Sequence, residues 1–376
     1  MKMSKTMRKV LAVLLVAVMT MLCLVGCQQG AKEEAPAAPT PSAPATETTT
    51  PEPEPEPEPW KPERTITMYV GFNAGGGVDT MARVLATELS SYLGVDVVVE
   101  NMPGGGSGTA AEHVMGLDAD GYTLLAVSSA CATYAAMDNS DATYNEMDML
   151  GVMVLSEPAF EVPGTSSINT MDDLVALWNS GEAHTAANAG NGGLWHIPQL
   201  LAMQAAGADM SKVSFVPYSS GKEDATAIAK GEVDWGVTGA FLESAEFCIE
   251  GMSKPLCIFS DQAYEVPGYG TLEPITKFIP ELTAEDIGAG AGWRGVLVKE
   301  GTPEEIYTVL EDALKAAYES DAFQTLIEEN GLIPAGYFGD QAQDTYEYTT
   351  QVQSWLLYDM EMANRSPEDL DIPRAS

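Results

Sequence analysis

Short apolar runs alternate with amphipathic stretches throughout residues 61–376, and no other pattern in the chain narrows the possible folds as much. Alternation of strand-like and helix-like segments predicts an α/β protein, with mostly parallel sheets and helices on both faces. This part of the chain is long for one compact domain, so two lobes are expected. The predicted strands are Thr65–Val70, Val95–Glu100, Thr123–Ser128, Val213–Tyr218, Val233–Thr238, Pro255–Ser260 and Gly295–Lys299.

Helix starts are marked at three places by local signals. Thr170 is followed by Asp173, and Thr302 is followed by Pro303 and two Glu residues; both are typical of helix N-termini. The third helix follows a glycine-rich turn, and its apolar residues recur at helical spacing on one face. These residues are Val78, Met81, Ala82, Leu85, Ala86 and Leu89.

The N-terminal segment has the order of charges and apolar residues that is typical of an export signal. Basic residues precede an apolar run from Val10 to Val25, and Cys27 follows at the end of a lipobox-like sequence. We therefore predict a lipoprotein signal peptide over 1–26 and a lipidated Cys27; the alternative is an ordinary cleaved signal followed by a chance Cys. Residues 27–60, rich in Pro and Glu, are expected to form a disordered tether. The protein is then anchored by lipid on the extracytoplasmic face of the cell membrane, in a bacterium with one membrane.

The charge balance excludes some partners. The chain has 18 Lys and Arg against 55 Asp and Glu, for a net charge of −37. Nucleic acids and anionic lipid surfaces are poor partners for such a chain. The cysteines lack the paired short spacings of a zinc site, so no metal is expected. Cys248 and Cys257 either form a disulfide or, like Cys131, remain buried thiols.

The first candidate site is a glycine-rich turn between a predicted strand and a predicted helix, from Val70 to Asp79. Such a turn exposes backbone N–H groups at a helix N-terminus, which favours binding of a carboxylate or phosphate. Asp79 either contributes to the site or only caps the helix. A Walker nucleotide site needs Lys and Ser or Thr after the last Gly, and neither is present. The glycine spacing of a dinucleotide site is also absent, and no cofactor is expected.

The second candidate site is a similar turn, Ala189–His196, which follows another candidate strand. Two such turns facing each other, one from each lobe, would hold the oxygens of a carboxylate through backbone amides. His196 is interpreted either as a capping or packing residue or as a base.

Seven segments together resemble the extracytoplasmic receptors of tripartite tricarboxylate transporters, also called the Bug family. The segments are GFNAGGGVD, VVVENMPGGGSGTAA, DGYTLL, AANAGNGGLWH, VPYSSG, KGEVDWGV and WRGVLVKEGTP, in that order. The resemblance implies a type II periplasmic-binding-protein fold whose two lobes close on a small di- or tricarboxylate or a related acid. By position it implies ligand-binding residues in both lobes. The candidate ligand-binding residues are Phe72, Asn73, Ala74, Gly75, Gly76, Asp79, Ser128, Gly190, Asn191, His196, Tyr218 and Arg294.

Two positions bear on which solute the protein binds. Asn191 and Gly192 stand where the family often has Ser or Thr, and an Asn amide both donates and accepts hydrogen bonds. Arg294 either donates two parallel hydrogen bonds to a distal carboxylate of the ligand or pairs with a Glu of this acidic protein. The aromatic residues Phe72, Tyr134 and Trp195 are expected either in the cleft walls or in the core.

The sequence thus predicts a monomeric solute-binding protein that is not an enzyme and delivers its ligand to integral-membrane permease subunits. We expect one lobe to comprise 61–158 and 262–376 and the other to comprise 159–261. One alternative is a receptor that presents its ligand to a membrane sensor kinase. The other is an exported serine hydrolase, with a Ser of Ser128-Ser129 or Ser219-Ser220 as nucleophile and His196 or His113 as base.

Overall fold

The computed structural model describes residues 60–156, 158–239 and 243–375. The predicted signal peptide, Cys27 and all of the predicted tether except Trp60 lie outside these residues. Among the residues described, no helix is long and apolar enough to cross a membrane.

The first sheet has six strands in the order β13-β4-β12-β3-β1-β2. Strand β1 pairs in parallel with β2 and β3, whereas β12 pairs antiparallel with β3 and β4, and β13 antiparallel with β4. Its strands are β1 (Ile66–Val70), β2 (Val97–Asn101), β3 (Thr123–Ser128), β4 (Met147–Ser156), β12 (Gly292–Lys299) and β13 (Ile333–Phe338).

The second sheet has five strands in the order β7-β6-β8-β5-β9. Strand β6 pairs in parallel with β7 and β8, and β5 pairs antiparallel with β8 and β9. Its strands are β5 (Pro158–Pro163), β6 (His184–Asn188), β7 (Val213–Pro217), β8 (Trp235–Gly239) and β9 (Ser253–Ile258). A separate antiparallel hairpin joins β10 (Tyr264–Val266) and β11 (Gly270–Leu272).

Helices connect the strands and begin where the sequence signals predict. Thr170 caps α3 in a capping box with Asp173, and α1 follows the first glycine turn. The helix after Thr302 starts at Glu304, with Pro303 as its N-cap. The α-helices are α1 (Gly77–Leu93), α2 (Gly108–Met115), α3 (Met171–Trp178), α4 (Ile197–Ala205), α5 (Gly221–Lys230), α6 (Ala245–Ile249), α7 (Ala284–Gly290), α8 (Glu304–Tyr318), α9 (Asp321–Glu329) and α10 (Asp340–Asp359). Short 3₁₀ helices span Gly105–Ser107, Ser129–Thr133, Met210–Lys212, Ile275–Lys277 and Glu368–Leu370.

The predicted α/β class is confirmed, and all seven predicted strands are present with ends shifted by up to three residues. Strand β6 is the one expected before the second glycine turn. Sequence patterns did not predict β4, β5, β13 or the β10–β11 hairpin. Pro bounds β5 at both ends, and β13 contains Pro334 and Gly336 at a sheet edge, where Pro is tolerated because no N–H is required on the outer side.

Each sheet has its own hydrophobic core. Met68, Val127 and Leu310 belong to the first core, and Phe160, Trp178 and Trp235 belong to the second; all six side chains are buried. The segment between β11 and β12 packs on the second core through Ile275, Ile279 and Leu282. The lobe boundaries expected from the sequence remain a prediction.

Loops at the carboxyl ends of the parallel strands gather in one place. The turns after β1, β2 and β3 lie on the first sheet, and those after β6, β7 and β8 lie on the second. In open α/β sheets the crevice outside the carboxyl ends is where ligands bind. This arrangement positions the candidate site.

Candidate ligand-binding site

Two adjoining pockets lie between the sheets. The arginine pocket has a volume of about 20 Å³ and is lined by Phe72, Gly76, Gly77, Val78, Ser128, Ala189, Leu194, Trp195, Ser220, Gly221, Glu243 and Arg294. The glycine pocket has a volume of about 300 Å³ and is lined by Gly71, Phe72, Gly104, Gly105, Gly106, Ser107, Asn139, Ala189, Gly190, Asn191, Pro217, Tyr218 and Ser219. Because Phe72 and Ala189 line both, the pockets form one cleft with walls from the loops of both sheets.

The first glycine turn reaches the arginine pocket through Gly76 and Gly77, whereas Asp79 supports the turn from behind. Asp79 Oδ2 accepts the backbone N–H of Gly75 at 2.8 Å, and Arg83 and Asn101 also donate to its carboxylate. Burial raises the pKa of Asp79, but these hydrogen bonds outweigh it and leave the pKa below its usual value. Asp79 therefore holds the glycine turn in place through Gly75 and lines neither pocket.

Three backbone N–H groups of the second glycine turn donate to acceptors inside the turn. The Gly192 N–H donates to His196 Nδ1 at 2.8 Å, and the N–H groups of Gly193 and His196 donate to carbonyls of the same turn. Burial lowers the pKa of His196 to about 3, so the ring is neutral at pH 7. The His196 side chain packs edge-on against Phe215, makes no cap hydrogen bond to α4, and lines neither pocket.

The second helix N-terminus in the site belongs to α5, not to the helix that follows the second glycine turn. Ser220 caps α5, and Gly221 lines the arginine pocket together with Gly77 of α1. Gly221 is required there because a Cβ would lie 2.8 Å from Trp195 Nε1 and 2.9 Å from Glu243 Cγ. Two helix N-termini, one from each sheet, thus border one pocket, which favours negative charge between them.

A buried ion pair lies in the arginine pocket. Arg294 Nη2 donates to Glu243 Oε1 at 2.7 Å, and the two side chains are 2% and 3% exposed. Arg294 lies in register with Ser128 on β3, and its Nη1 donates to Ser156 Oγ at 2.6 Å. Burial raises the pKa of Glu243, while Arg294 and the nearby backbone N–H groups of Gly77 and Gly239 act in the opposite direction. Two roles were considered for Arg294, and the structure shows that it pairs with a Glu. This pair is buried in the cleft.

The lobes touch each other beside the cleft. Asn73 Nδ2 donates to Glu223 Oε1 at 2.6 Å, and the Asn73 N–H donates to the Ser219 carbonyl at 3.3 Å. Asn73 therefore bridges the turn after β1 and the start of α5. Gly190, with φ of +95°, approaches the other lobe so closely that a Cβ would lie 3.1 Å from Gly106 Cα.

The cleft contains some but not all of the residues predicted from sequence. Phe72, Gly76, Ser128 and Arg294 line the arginine pocket. Phe72, Gly190, Asn191 and Tyr218 line the glycine pocket. The predicted residues that line neither pocket are Asn73, Ala74, Gly75, Asp79 and His196.

Aromatic and newly found residues complete the cleft. Trp195 is a cleft wall, with the Arg294 Cζ 5.6 Å from its ring centroid, whereas Tyr134 is buried and hydrogen-bonded to Ser107. Sequence reasoning did not assign Ser220, Gly221 or Glu243 to the ligand-binding site. A Ser–Gly pair directly after a predicted strand is a signal for the first two, but an isolated Glu in an acidic chain gives none.

The residues proposed for a hydrolase are not arranged for catalysis. Within the described part of the chain, no hydrogen bond joins His196 or His113 to Ser128, Ser129, Ser219 or Ser220. Cys131, Cys248 and Cys257 are buried free thiols, so the possible disulfide between Cys248 and Cys257 is not formed.

Comparison with known proteins identifies the family. The family model described as tripartite tricarboxylate transporter family receptor matches residues 81–355, well over half of the chain. The chain belongs to this family. The receptor is 27% identical over 305 residues to the protein BugT of Bordetella pertussis, covering 78% of this chain and 88% of BugT.

Solved structures support the same conclusion about the fold. The periplasmic binding protein BugD superposes with a TM-score of 0.69 at 20% identity, covering 84% of the receptor and 100% of BugD. MatC (Rpa3494) from Rhodopseudomonas palustris, solved with bound malate, gives a TM-score of 0.67 at 21% identity, covering 79% of the receptor and 99% of MatC. The predicted family and periplasmic-binding-protein fold are confirmed. The family consists of extracytoplasmic solute-binding receptors and not of enzymes, and the receptor is therefore not an enzyme.

Proposed function

We propose that the receptor captures a small organic carboxylate between its lobes and delivers it to the permease subunits of a tripartite tricarboxylate-type transporter. The observation that carries this proposal is the convergence of two helix N-termini and Arg294 on one pocket. Bound malate in MatC supports a carboxylate as ligand. The proposed contact residues are Phe72, Gly76, Ser128, Gly190, Asn191, Tyr218 and Arg294.

Capture would proceed by lobe closure. Asn73 Nδ2 donates to Glu223 Oε1 across the cleft, and opening of the cleft would break such contacts. A ligand that touches both walls shifts the open–closed balance by its difference in affinity for the two states; a hundredfold preference corresponds to about 2.7 kcal/mol.

The net charge of −37 opposes the approach of multiply charged anions. Salt screens this repulsion beyond about 8 Å at physiological ionic strength, whereas the helix N-termini and Arg294 act at contact distance. Local donors therefore determine binding, and the overall charge mainly slows encounter.

We further propose that the receptor is a monomer held at the extracytoplasmic face of the cell membrane by lipid on Cys27. The basic and apolar order of residues 1–26 supports export, and two or more acyl chains hold a protein stably at a membrane. Cys27→Ser should release the protein into the medium or leave its signal uncleaved. Retention of a signal-cleaved Cys27→Ser form in the membrane fraction would contradict lipid anchoring.

A thermal-melt screen of the purified receptor tests the proposed ligand class. The screen uses di- and tricarboxylates, aromatic acids and amino acids. A ligand at 100 times its Kd stabilises the folded state by about 2.7 kcal/mol, which raises the melting temperature by several degrees. We expect at least one acid to do so without being converted, as checked by mass spectrometry. If no acid shifts the melting temperature, the proposal fails.

A further inference from the structure

The glycine pocket is the part of the cleft that has room for a solute. The arginine pocket, at about 20 Å³, holds about one water molecule, and its Arg294 is already paired with Glu243. The glycine pocket has about 300 Å³ and adjoins the arginine pocket at Phe72 and Ala189. Because small ligands occupy pockets of this size, the body of the solute is expected in the glycine pocket.

No charged side chain lines the glycine pocket in the described part of the chain. Its polar side chains are those of Ser107, Asn139, Asn191, Tyr218 and Ser219, and the remaining lining is glycine or apolar. A carboxylate in this pocket is therefore stabilised by neutral donors and backbone N–H groups, without a cation. Each further carboxylate would lose hydration without gaining a positive partner, which is costly. The lining thus limits the number of charges that the solute carries.

The wall from the first sheet has donors for one carboxylate. The N–H groups of Gly105 and Gly106, in the turn after β2, donate to no described residue. Asn139 lies beside them, with its Nδ2 3.4 Å from the position that a Cβ on Gly106 would occupy. The Asn139 N–H donates to the Tyr134 carbonyl at 2.9 Å, whereas the Asn139 carboxamide makes no hydrogen bond to a described residue. Asn139 therefore places an unpaired carboxamide next to two unpaired backbone N–H groups.

The wall from the second sheet disfavours a second carboxylate. Glu223 Oε2 accepts the Ser219 N–H at 3.0 Å, which places an acidic side chain directly beside this wall. Burial and the charge of Glu232 raise the pKa of Tyr218, so its hydroxyl remains a neutral donor. A carboxylate at this wall would be repelled by the acidic side chains, whereas an uncharged hydroxyl, carbonyl or amide would not.

We propose that the solute carries one carboxylate and one uncharged polar group, and that Asn139 is a specificity-determining residue for it. The carboxylate would accept from the N–H groups of Gly105 and Gly106 and from the Asn139 carboxamide. The uncharged group would contact Tyr218 and Ser219 on the opposite wall. This inference rests on the proposed function and narrows its ligand class to monocarboxylates that also carry a hydroxyl, carbonyl or amide.

Dicarboxylates and their monoamides test the number of charges, because the two acids of each pair have nearly the same shape. The pairs are malonate and malonamate, succinate and succinamate, glutarate and glutaramate, and adipate and adipamate. Calorimetry on the wild-type protein should show that at least one monoamide binds about tenfold to a hundredfold more tightly than its dicarboxylate, since the second carboxylate loses hydration without a partner.

Asn139→Asp tests the assigned role of Asn139. The variant keeps the shape of the side chain but places a negative charge where the carboxylate binds, and it should weaken binding of the preferred monoamide by about tenfold or more. Asn145→Asp is the matched control, because Asn145 is exposed and lines neither pocket. It lies at the end of the first sheet away from the cleft, where Met147 pairs with Lys299. The control should keep the wild-type affinity.

Two results would overturn the proposed ligand class, namely a dicarboxylate that binds as tightly as its monoamide, or no binding of any monoamide. The proposed function would still stand if another acid raises the melting temperature. Equal affinity of the wild type and Asn139→Asp removes the assigned role of Asn139. Should Asn139→Asp fail to fold, Asn139→Ala replaces it, since it removes the donor without adding a charge. Asn139→Ala should weaken binding by about threefold to tenfold, and unchanged affinity would again remove that role.

Discussion

His196 is a buried ring whose role is set by one hydrogen bond. Its Nδ1 accepts from the Gly192 N–H, and this bond requires the neutral form. Burial lowers the pKa of His196 to about 3, compared with about 6.5 in an unfolded chain. Because the folded pKa is lowered, this stabilisation is complete above pH 6.5 and is lost as the pH falls from there towards 3.

His196→Gln tests this pH dependence. Gln is able to accept the same N–H but does not titrate, so the variant should lose some stability at pH 7 and less at lower pH. Below about pH 6 the advantage of the wild type should shrink by up to about 1.4 kcal/mol per pH unit. Urea unfolding at pH 7, 5.5 and 4.5 measures the difference. A difference that does not change with pH would contradict the assignment.

Arg294 and Glu243 illustrate the cost of a buried charge without its partner. Arg294→Met should destabilise the protein by about 3–5 kcal/mol, because Glu243 remains buried and unpaired. Arg294→Met combined with Glu243→Met should be more stable than Arg294→Met alone. Chemical unfolding measures the free energy of unfolding of each variant.

Arg374→Met is the matched control for this prediction, because its pair with Asp359 at 2.7 Å is more than half exposed. It should change the stability by less than about 1 kcal/mol. Equal losses for Arg294→Met and Arg374→Met would show that burial does not determine the cost.

At the scale of elements, helix starts have two different roles in this fold. Thr170 caps α3 on the surface, where the capping box only satisfies the first backbone N–H groups of the helix. Ser220 caps α5 through a hydrogen bond from the Glu223 N–H at 3.3 Å, and this N-terminus forms a wall of the arginine pocket. Loss of either cap should destabilise its helix, but only one should disturb the site.

Ser220→Ala and Thr170→Ala test this distinction. Each should cost about 1 kcal/mol of stability, because each removes an N-cap. Only Ser220→Ala should weaken binding of the acid found in the melt screen, by about threefold to tenfold, since the N–H groups at Gly221 lose their fixed direction. Calorimetry measures the affinity of each variant for the acid, and urea unfolding measures its stability. Equal affinity in the two variants would exclude α5 from the site.

At the scale of the whole molecule, the cleft exists because two sheets present their carboxyl ends to each other. Asn73 links them through Glu223 and Ser219. Since this contact needs both lobes, it should stabilise the closed arrangement specifically.

Asn73→Ala should shift the open–closed balance towards the open form by about fivefold to tenfold, the effect of losing about 1 kcal/mol or slightly more. Small-angle X-ray scattering without ligand should show a larger radius of gyration, and affinity should fall. Asn330→Ala is the control, because the Asn330 side chain donates to the Leu326 carbonyl of its own helix and not across the cleft. An unchanged radius for Asn73→Ala would contradict the bridging role.

The sequence by itself determined much of the local structure. Alternating apolar runs gave seven strands, the glycine turn before Val78 gave α1, and Thr170 with Asp173 gave α3. These features depend on neighbours within a few residues, which a linear pattern contains. The seven family-like segments also indicated the correct family. Five of them contribute residues to the cleft, whereas DGYTLL and KGEVDWGV lie at the amino ends of β3 and β8 and line neither pocket.

Tertiary structure alone decided which helix N-terminus enters the site and what Arg294 pairs with. Arg294 and Glu243 are far apart in the chain, and they meet because β12 lies beside β3 while Glu243 follows β8 on the opposing sheet. Burial then makes the separation of the two charges costly, since the members of an exposed ion pair would be solvated by water. No short segment encodes this contact or its burial. Sequence patterns therefore indicate a carboxylate site, whereas the residues that line it depend on the folded cleft.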